Sequence, residues 1–237
     1  MRTKTNFISL DQMRARFKGK SIAVIGSGPT ALLNSGEYID SHDLIIRIQN
    51  YKMRGFESQV GSRTDVHYSF YGMSMRKTAN ELKEDGVSLC MCKLPDGALP
   101  FSSPWHRQNN KQHGVNYRYV YTARAAFWFC DTYVPSLSRF MELFALVQNE
   151  DDKYPGHQPT TGFACLLELM QCETKSVYVT GFDFFTSNKH NLNESWAPKN
   201  PDDPIGHRPL KELKLLKKIF PANWKADRSL EELMKSC

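Results

Sequence analysis

The residues of this 237-residue chain best suited to chemistry are two glycine turns, a threonine pair and two histidines. The first turn, Gly26-Ser27-Gly28-Pro29-Thr30-Ala31, follows the apolar run 22–25, and Pro29 suits the first position of a helix. Free N–H groups at a glycine turn opening a helix point at an anion such as phosphate. The spacing also fits the GxGxxA fingerprint of a dinucleotide site, and the same residues make a plain strand-to-helix turn when no ligand is involved. Thr160-Thr161-Gly162 stand before the apolar helical stretch 163–172 and offer a second phosphate cradle, or an ordinary N-cap. His190 lies in a polar stretch after Tyr178-Val-Thr-Gly181-Phe182. His207 stands just before Pro209 and a basic helix, with Glu212 five residues on. An imidazole beside a helix start is favoured in its neutral form, which suits a general base, although a lone histidine also serves as a cap or surface residue. The chain has no His-Glu-x-x-His and no Asp-x-Asp, so no metal is expected.

Short apolar segments must position these groups. Stretches 21–25, 44–48, 66–70, 87–92, 117–122 and 176–180 are rich in Val, Ile and Tyr and bounded by Gly, Asp or Ser, and each predicts a buried strand. Helical patterns lie between some of them. Ser136 caps one with Leu137, Phe140, Met141 and Phe144 on a face; another covers 162–172. Leu210, Leu213, Leu216 and Ile219 mark a third, and Ser229 with Glu232 reads as the capping box of a last one. Strand-helix alternation predicts an α/β fold, Rossmann-like, with a mostly parallel sheet flanked by helices. We expect residues 1–20 to be an N-terminal extension and 21–237 a single domain, with long loops near 95–116 and 186–206. The second strand ends in Arg47-Ile48-Gln49-Asn50, at the sheet edge where ligands bind in such folds. A dinucleotide fold wants an acid there. Arg47 would instead suit a 2′-phosphate, which keeps an NAD(P)-dependent oxidoreductase open. Asp40 and Asp43 read as turn caps.

Composition narrows the classes. Lys+Arg exceed Asp+Glu by six, 31 against 25, which suits an anionic ligand, an anionic membrane surface or nucleic acid. The basic residues are spread along the chain with no aromatic-and-basic strand, so no nucleic acid is expected. No apolar run reaches transmembrane length and the first residues lack a signal peptide's apolar stretch. A cytoplasmic place is expected, with Lys211–Lys218 either a solvated face or a peripheral contact with the inner face of a membrane. The six cysteines have no zinc-ribbon spacing and read as free thiols.

Taken in order, these segments resemble the sialylmotifs of the eukaryotic-type sialyltransferases, glycosyltransferase family 29. The large motif is similar to residues 22–66, most clearly Ile39-Asp-Ser-His-Asp-Leu, Arg47, Gly55-Phe-Glu and Val60-Gly-Ser-Arg-Thr64. The small motif resembles Pro159-Thr-Thr-Gly-Phe163 through Val177-Tyr-Val-Thr-Gly-Phe182. The third would fall at His190, and the very small one is similar to His207-Arg-Pro-Leu-Lys-Glu212. The resemblance implies a single-domain GT-A-like variant fold, a CMP-activated sugar acid as co-substrate, a glycan or glycolipid acceptor such as a lipooligosaccharide, and no metal or other cofactor. It implies that Gly26, Ser27, Gly28, Gln49 and Asn50 border the donor, that Thr160, Thr161 and Gly162 hold its ribose and phosphate, and that the backbone at Gly181 and Phe182 lines the cytosine. His190 would stabilise the leaving phosphate and His207 would be the base. Ser27 and Gln49 stand where the family has asparagines. That departure keeps CMP-Kdo beside CMP-sialic acid as the donor. The animal enzymes carry a membrane anchor and a disulfide between the large and small motifs. No anchor is visible, and the expected partner of Cys172 falls on Ser21 or Ile22; both differences point to a bacterial or other cytosolic relative, or to a chain whose anchor has been trimmed away.

Overall fold

Residues that alternate along each central strand are buried on both sides, and this pattern dictates the architecture. Ile22 and Val24 enter one apolar cluster while Ala23 and Ile25 enter another. The same split separates Ile46 and Ile48 from Ile45, and Leu89 and Met91 from Cys90 and Cys92. A strand covered on both faces reads as a continuous apolar run, as parallel sheets require.

The computed structural model describes residues 6–71, 77–95, 129–147, 159–187 and 207–237. Within them the strands are β1 (Asn6–Ile8), β2 (Ser21–Ile25), β3 (Leu44–Ile48), β4 (Val66–Ser69), β5 (Leu89–Cys92), β6 (Asp131–Tyr133), β7 (Ser176–Thr180) and β8 (Trp224–Ala226). They form one sheet in the order β1-β6-β5-β4-β3-β2-β7-β8, with every pairing parallel. The described helices are α1 (Leu10–Phe17), α2 (Gly36–Asp40), α3 (Glu57–Val60), α4 (Ala79–Glu84), α5 (Leu137–Ala145), α6 (Thr161–Leu169), α7 (Pro209–Ile219) and α8 (Arg228–Ser236). The expected α/β architecture is therefore what the chain adopts. The strand expected at 117–122 lies outside the described residues.

Several local expectations are corrected. The stretch read as an N-terminal extension supplies β1, which pairs with β6, and α1, whose Met13 and Phe17 are fully buried. Each such side chain contributes about 1.5–3 kcal/mol by leaving water. The helix expected from Pro29 is a single 3-10 stretch, Pro29–Leu33, with Gly28 before it. On α5 the buried face is Arg139, Phe140 and Leu143, while Met141 is exposed. The reason is polar: the Arg139 guanidinium reaches Glu168 of α6 at 2.9 Å in a buried ion pair and turns the helix toward it. The last helix is capped by Asp227, whose carboxylate accepts from the Leu230 N–H at 2.8 Å, and Ser229 lies inside the helix.

The second half of the large motif proves to be scaffold. Arg47 is fully buried, and its guanidinium donates to the carbonyls of Val60, Gly61 and Arg63 and to Thr64 Oγ1, at 2.6–3.1 Å for the nearest contact to each. Burial pushes it down to about 10 from the usual arginine value. A guanidinium committed to that loop does not serve a cofactor's 2′-phosphate, and the only residue-level support for that class beyond the glycine turn is removed. Asp40 accepts from Ser62, and Asp43 accepts from Ser21, so both are turn ties as expected.

Candidate active site

In a parallel sheet every strand delivers its C-terminal end to one edge. Ligands bind there, at the point where strand order reverses. β2 lies between β3 and β7, so the chain winds one way from it and returns on its other side. The turns following β2, β3 and β7 carry Gly26-Ser27-Gly28, Gln49-Asn50 and Gly181-Phe182. The structure thus brings these sequence-predicted residues to one edge, and the N-terminus of α6 joins them through Thr160, Thr161 and Gly162.

The floor of the crevice is backbone on backbone. Gly26 N–H donates to Thr180 O at 2.8 Å and Gly28 N–H to Gly181 O at 2.9 Å. A Cβ on Gly26 would stand 2.2 Å from the Gly181 carbonyl oxygen. Gly26→Ala is therefore expected to destabilise the fold by about 3 kcal/mol, because main chain rather than a movable side chain blocks the methyl. Chemical denaturation measures it, and an unchanged midpoint would refute the contact. On the other side, a Cβ on Gly162 would meet the Phe182 ring at 2.7 Å, so α6 starts directly against the β7 turn.

A hydrogen-bonded belt holds the wall. Gln49 Nε2 donates to Thr161 Oγ1 at 2.9 Å, and Gln49 Oε1 accepts from Ser69 Oγ at 2.6 Å. Gln49 has φ 54, a left-handed backbone that favours glycine or asparagine. It is pinned there from both sides: its N–H donates to Tyr68 O at 3.0 Å, and its carbonyl stands 2.8 Å from His67 Nε2. His67 is fully buried, and loss of solvent pushes it down to about 4, so the ring is neutral at pH 7. Facing a carbonyl, Nε2 must carry the proton, which leaves Nδ1 to accept from the Tyr71 hydroxyl at 3.0 Å. Gln49 thus has its amide tied to the start of α6.

Thr160 caps α6, accepting from the Phe163 N–H. Its own N–H and hydroxyl donate to the two carboxylate oxygens of Glu212 on α7, at 2.8 and 2.6 Å. Glu212 is 1% exposed, and burial raises it to about 7, against the hydrogen bonds from Thr160 and the charge of Lys93. Lys93 follows β5 directly, and its N–H donates to Ser69 O at 2.9 Å. Its ammonium is buried, and burial lowers it to about 8. Between these two values both groups are charged, and each charge favours the other without a direct contact between them. His207 is half-buried, just before α7, little more than one helical turn from Glu212. The helix that begins just after the candidate base therefore also locks the candidate phosphate cradle.

The turn after β7 is fixed from below by Asp227, whose Oδ2 accepts from Thr180 Oγ1 at 2.6 Å and from the Gly181 N–H at 3.1 Å. Ser27 and Asn50 lie at the rim, half-buried. His190 falls outside the described residues. Sequence reasoning missed His67, Ser69, Lys93 and Asp227 as supports of the site. Only the first three carried a usable signal, as polar residues within or directly after apolar strands.

The chain matches the model of Glycosyltransferase family 29 (sialyltransferase) over residues 9–223. It is 27% identical over 185 residues to a chicken (Gallus gallus) CMP-N-acetylneuraminate-beta-galactosamide-alpha-2,3-sialyltransferase, covering 73% of this chain and 47% of that protein. A segment of 50 residues is 46% identical to a beta-1,6-galactosyltransferase of Arabidopsis thaliana, covering 20% of this chain and 12% of that one. The chain spans less than half the length of these curated relatives. Its fold is similar to that of the monofunctional alpha-2,3-sialyltransferase Cst-I from Campylobacter jejuni, with a TM-score of 0.55, 17% identity, and coverage of 89% of this chain and 77% of that one.

Proposed function

Because the chain belongs to glycosyltransferase family 29, the sialyltransferase family, we propose that it moves a sugar acid, sialic acid, from its CMP-activated form to the hydroxyl of a glycan or glycolipid acceptor. The observation that carries this reading is the single crevice built from the turns after β2, β3 and β7 and the start of α6, with the helix of His207 tied to it through Glu212. The acceptor hydroxyl gives its proton to His207 and attacks the anomeric carbon from the face opposite CMP. The bond to the phosphate oxygen breaks, and the configuration inverts. CMP leaves as a phosphate monoester, which needs charge stabilisation more than protonation. Backbone N–H groups at the start of α6 are assigned this task, together with His190. No metal enters this scheme. CMP-Kdo remains the second donor of the same chemistry, since Ser27 and Gln49 depart from the family asparagines. Lys214, Lys217 and Lys218 line the exposed side of α7 and give a basic face for a peripheral membrane contact. No described helix is long and apolar enough to cross a membrane.

Thermal melting with CMP, CDP, UDP and NADPH, each with EDTA present, tests the reading. At a hundredfold excess over its Kd, CMP is expected to raise Tm by about 5–10 °C, a shift that EDTA leaves in place. A shift given by UDP and not CMP would overturn the CMP donor class. A flat response to CMP at millimolar concentration would overturn the proposal.

A further inference from the structure

Away from the crevice, β5 and the segment entering β6 bring two cysteines together. Cys90 is buried in β5, and Cys130, one residue ahead of β6, is partly exposed. Their sulfurs stand 3.4 Å apart across 40 positions of sequence, and both are free thiols. A cleft of about 440 Å³ opens beside Cys130, lined also by Arg16, Val87, Ser88, Phe129 and Asp131. Access is thus offered to one sulfur and withheld from the other.

We propose that Cys90 and Cys130 form a thiol–disulfide exchange site whose substrate is the disulfide of a small thiol, of the glutathione class. The electrostatics agree with these roles. The hydrogen bond between the two sulfurs and the charge of Arg16 hold the Cys130 thiol below its ordinary range, against burial. Burial drives Cys90 well above it. Arg16 is also paired with the Asp131 carboxylate, so it faces the thiol as part of an ion pair. The thiolate is the attacking species, and its fraction rises as the pKa falls.

Cys130 loses its proton and attacks one sulfur of the small disulfide. That S–S bond breaks, and the first thiolate leaves with the electron pair and takes up a proton. Cys90 then gives up its proton and attacks the Cys130 sulfur of the mixed disulfide, expelling the second small thiol. Two cysteine thiols are oxidised and one small disulfide is reduced to two thiols. The new bond ties the two ends of the β5–β6 connection, and closing so long a segment restricts the unfolded chain. The site is independent of the transfer reading.

The test treats the reduced full-length protein with oxidised glutathione and maps peptides without reduction. Wild type is expected to lose two hydrogen masses, to yield a Cys90–Cys130 peptide, and to melt several degrees higher. Cys90→Ser is expected to stop at one glutathione adduct on Cys130. Cys130→Ser is expected to remain unmodified at Cys90. Wild type that stays fully reduced, a linkage to any other cysteine, or a Cys90→Ser variant without the adduct would each overturn the proposal.

Discussion

Replacing His207 by alanine is expected to lower kcat for sugar transfer by about 10²–10⁴-fold while the CMP-induced thermal shift persists. The split follows from position. His207 lies just outside α7 and is half-buried, whereas the contacts that shape the crevice come from Gln49, Thr160, Thr161 and the glycine turns. Alanine removes the proton acceptor and leaves those contacts alone. The rate of the wild type should fall on the acid side as the imidazole takes up a proton, and the variant should lack that limb. Steady-state rates across pH, paired with melting in CMP, separate the two effects. Equal turnover in the two proteins would remove His207 from the mechanism. A lost CMP shift would make it a structural residue of the crevice instead.

The second large effect belongs to Glu212. Alanine there leaves the Thr160 N–H and hydroxyl without their acceptor. A buried donor left without its partner typically costs about 1–3 kcal/mol. Glutamine keeps an oxygen for the Thr160 N–H and is expected to fold nearly as well. Its difference from wild type depends on pH. In the folded protein Glu212 titrates near 7, raised from 4.5 by burial. Between those values the folded state holds one proton more than the unfolded state. The stability from this group is complete below 4.5 and is lost as pH rises through 7, a loss of about 3 kcal/mol. His67 works in the opposite direction. Its folded value is lowered to about 4 from 6.5, so its contribution is lost as pH falls across that window. In wild type the two slopes oppose each other between 4.5 and 6.5. Glu212→Gln deletes one of them, so its stability relative to wild type is expected to rise by about 2 kcal/mol between about pH 5 and pH 7.5. Denaturant titrations at the two pH values measure this, and a constant difference would sink the assignment of a raised Glu212.

The reading of this chain from its residues succeeded where a signal was local. The strands at 21–25, 44–48 and 176–180 carry their boundaries in their own composition, and the structure gives them the same ends. The glycine turns and the threonine pair were also legible, because glycine beside a strand end and a hydroxyl before an apolar helix have few other uses. What stayed hidden acts at long range. His67 sits in an apolar strand and looks like a packing residue until Gln49 is folded against it. Glu212 reads as one acid on a basic helix, and only the approach of α7 to α6 gives it Thr160. Asp227 lost its cap assignment to Ser229 because its second role, holding the turn after β7, exists only once β8 lies beside β7. The face of α5 departs from its apolar spacing for a similar reason: Arg139 turns inward because Glu168 of α6 is there to meet it.

The contact between Gly26 and Gly181 also governs how such a crevice can diversify. With no room for a single methyl where those two turns cross, the floor is closed to variation, and any descendant must keep the same bare main chain there. Variation is left to the rim, where Ser27 and Asn50 stand half-buried, above the Gln49 amide that is tied into the wall. The rim can then change from one descendant to the next while the scaffold beneath is inherited intact.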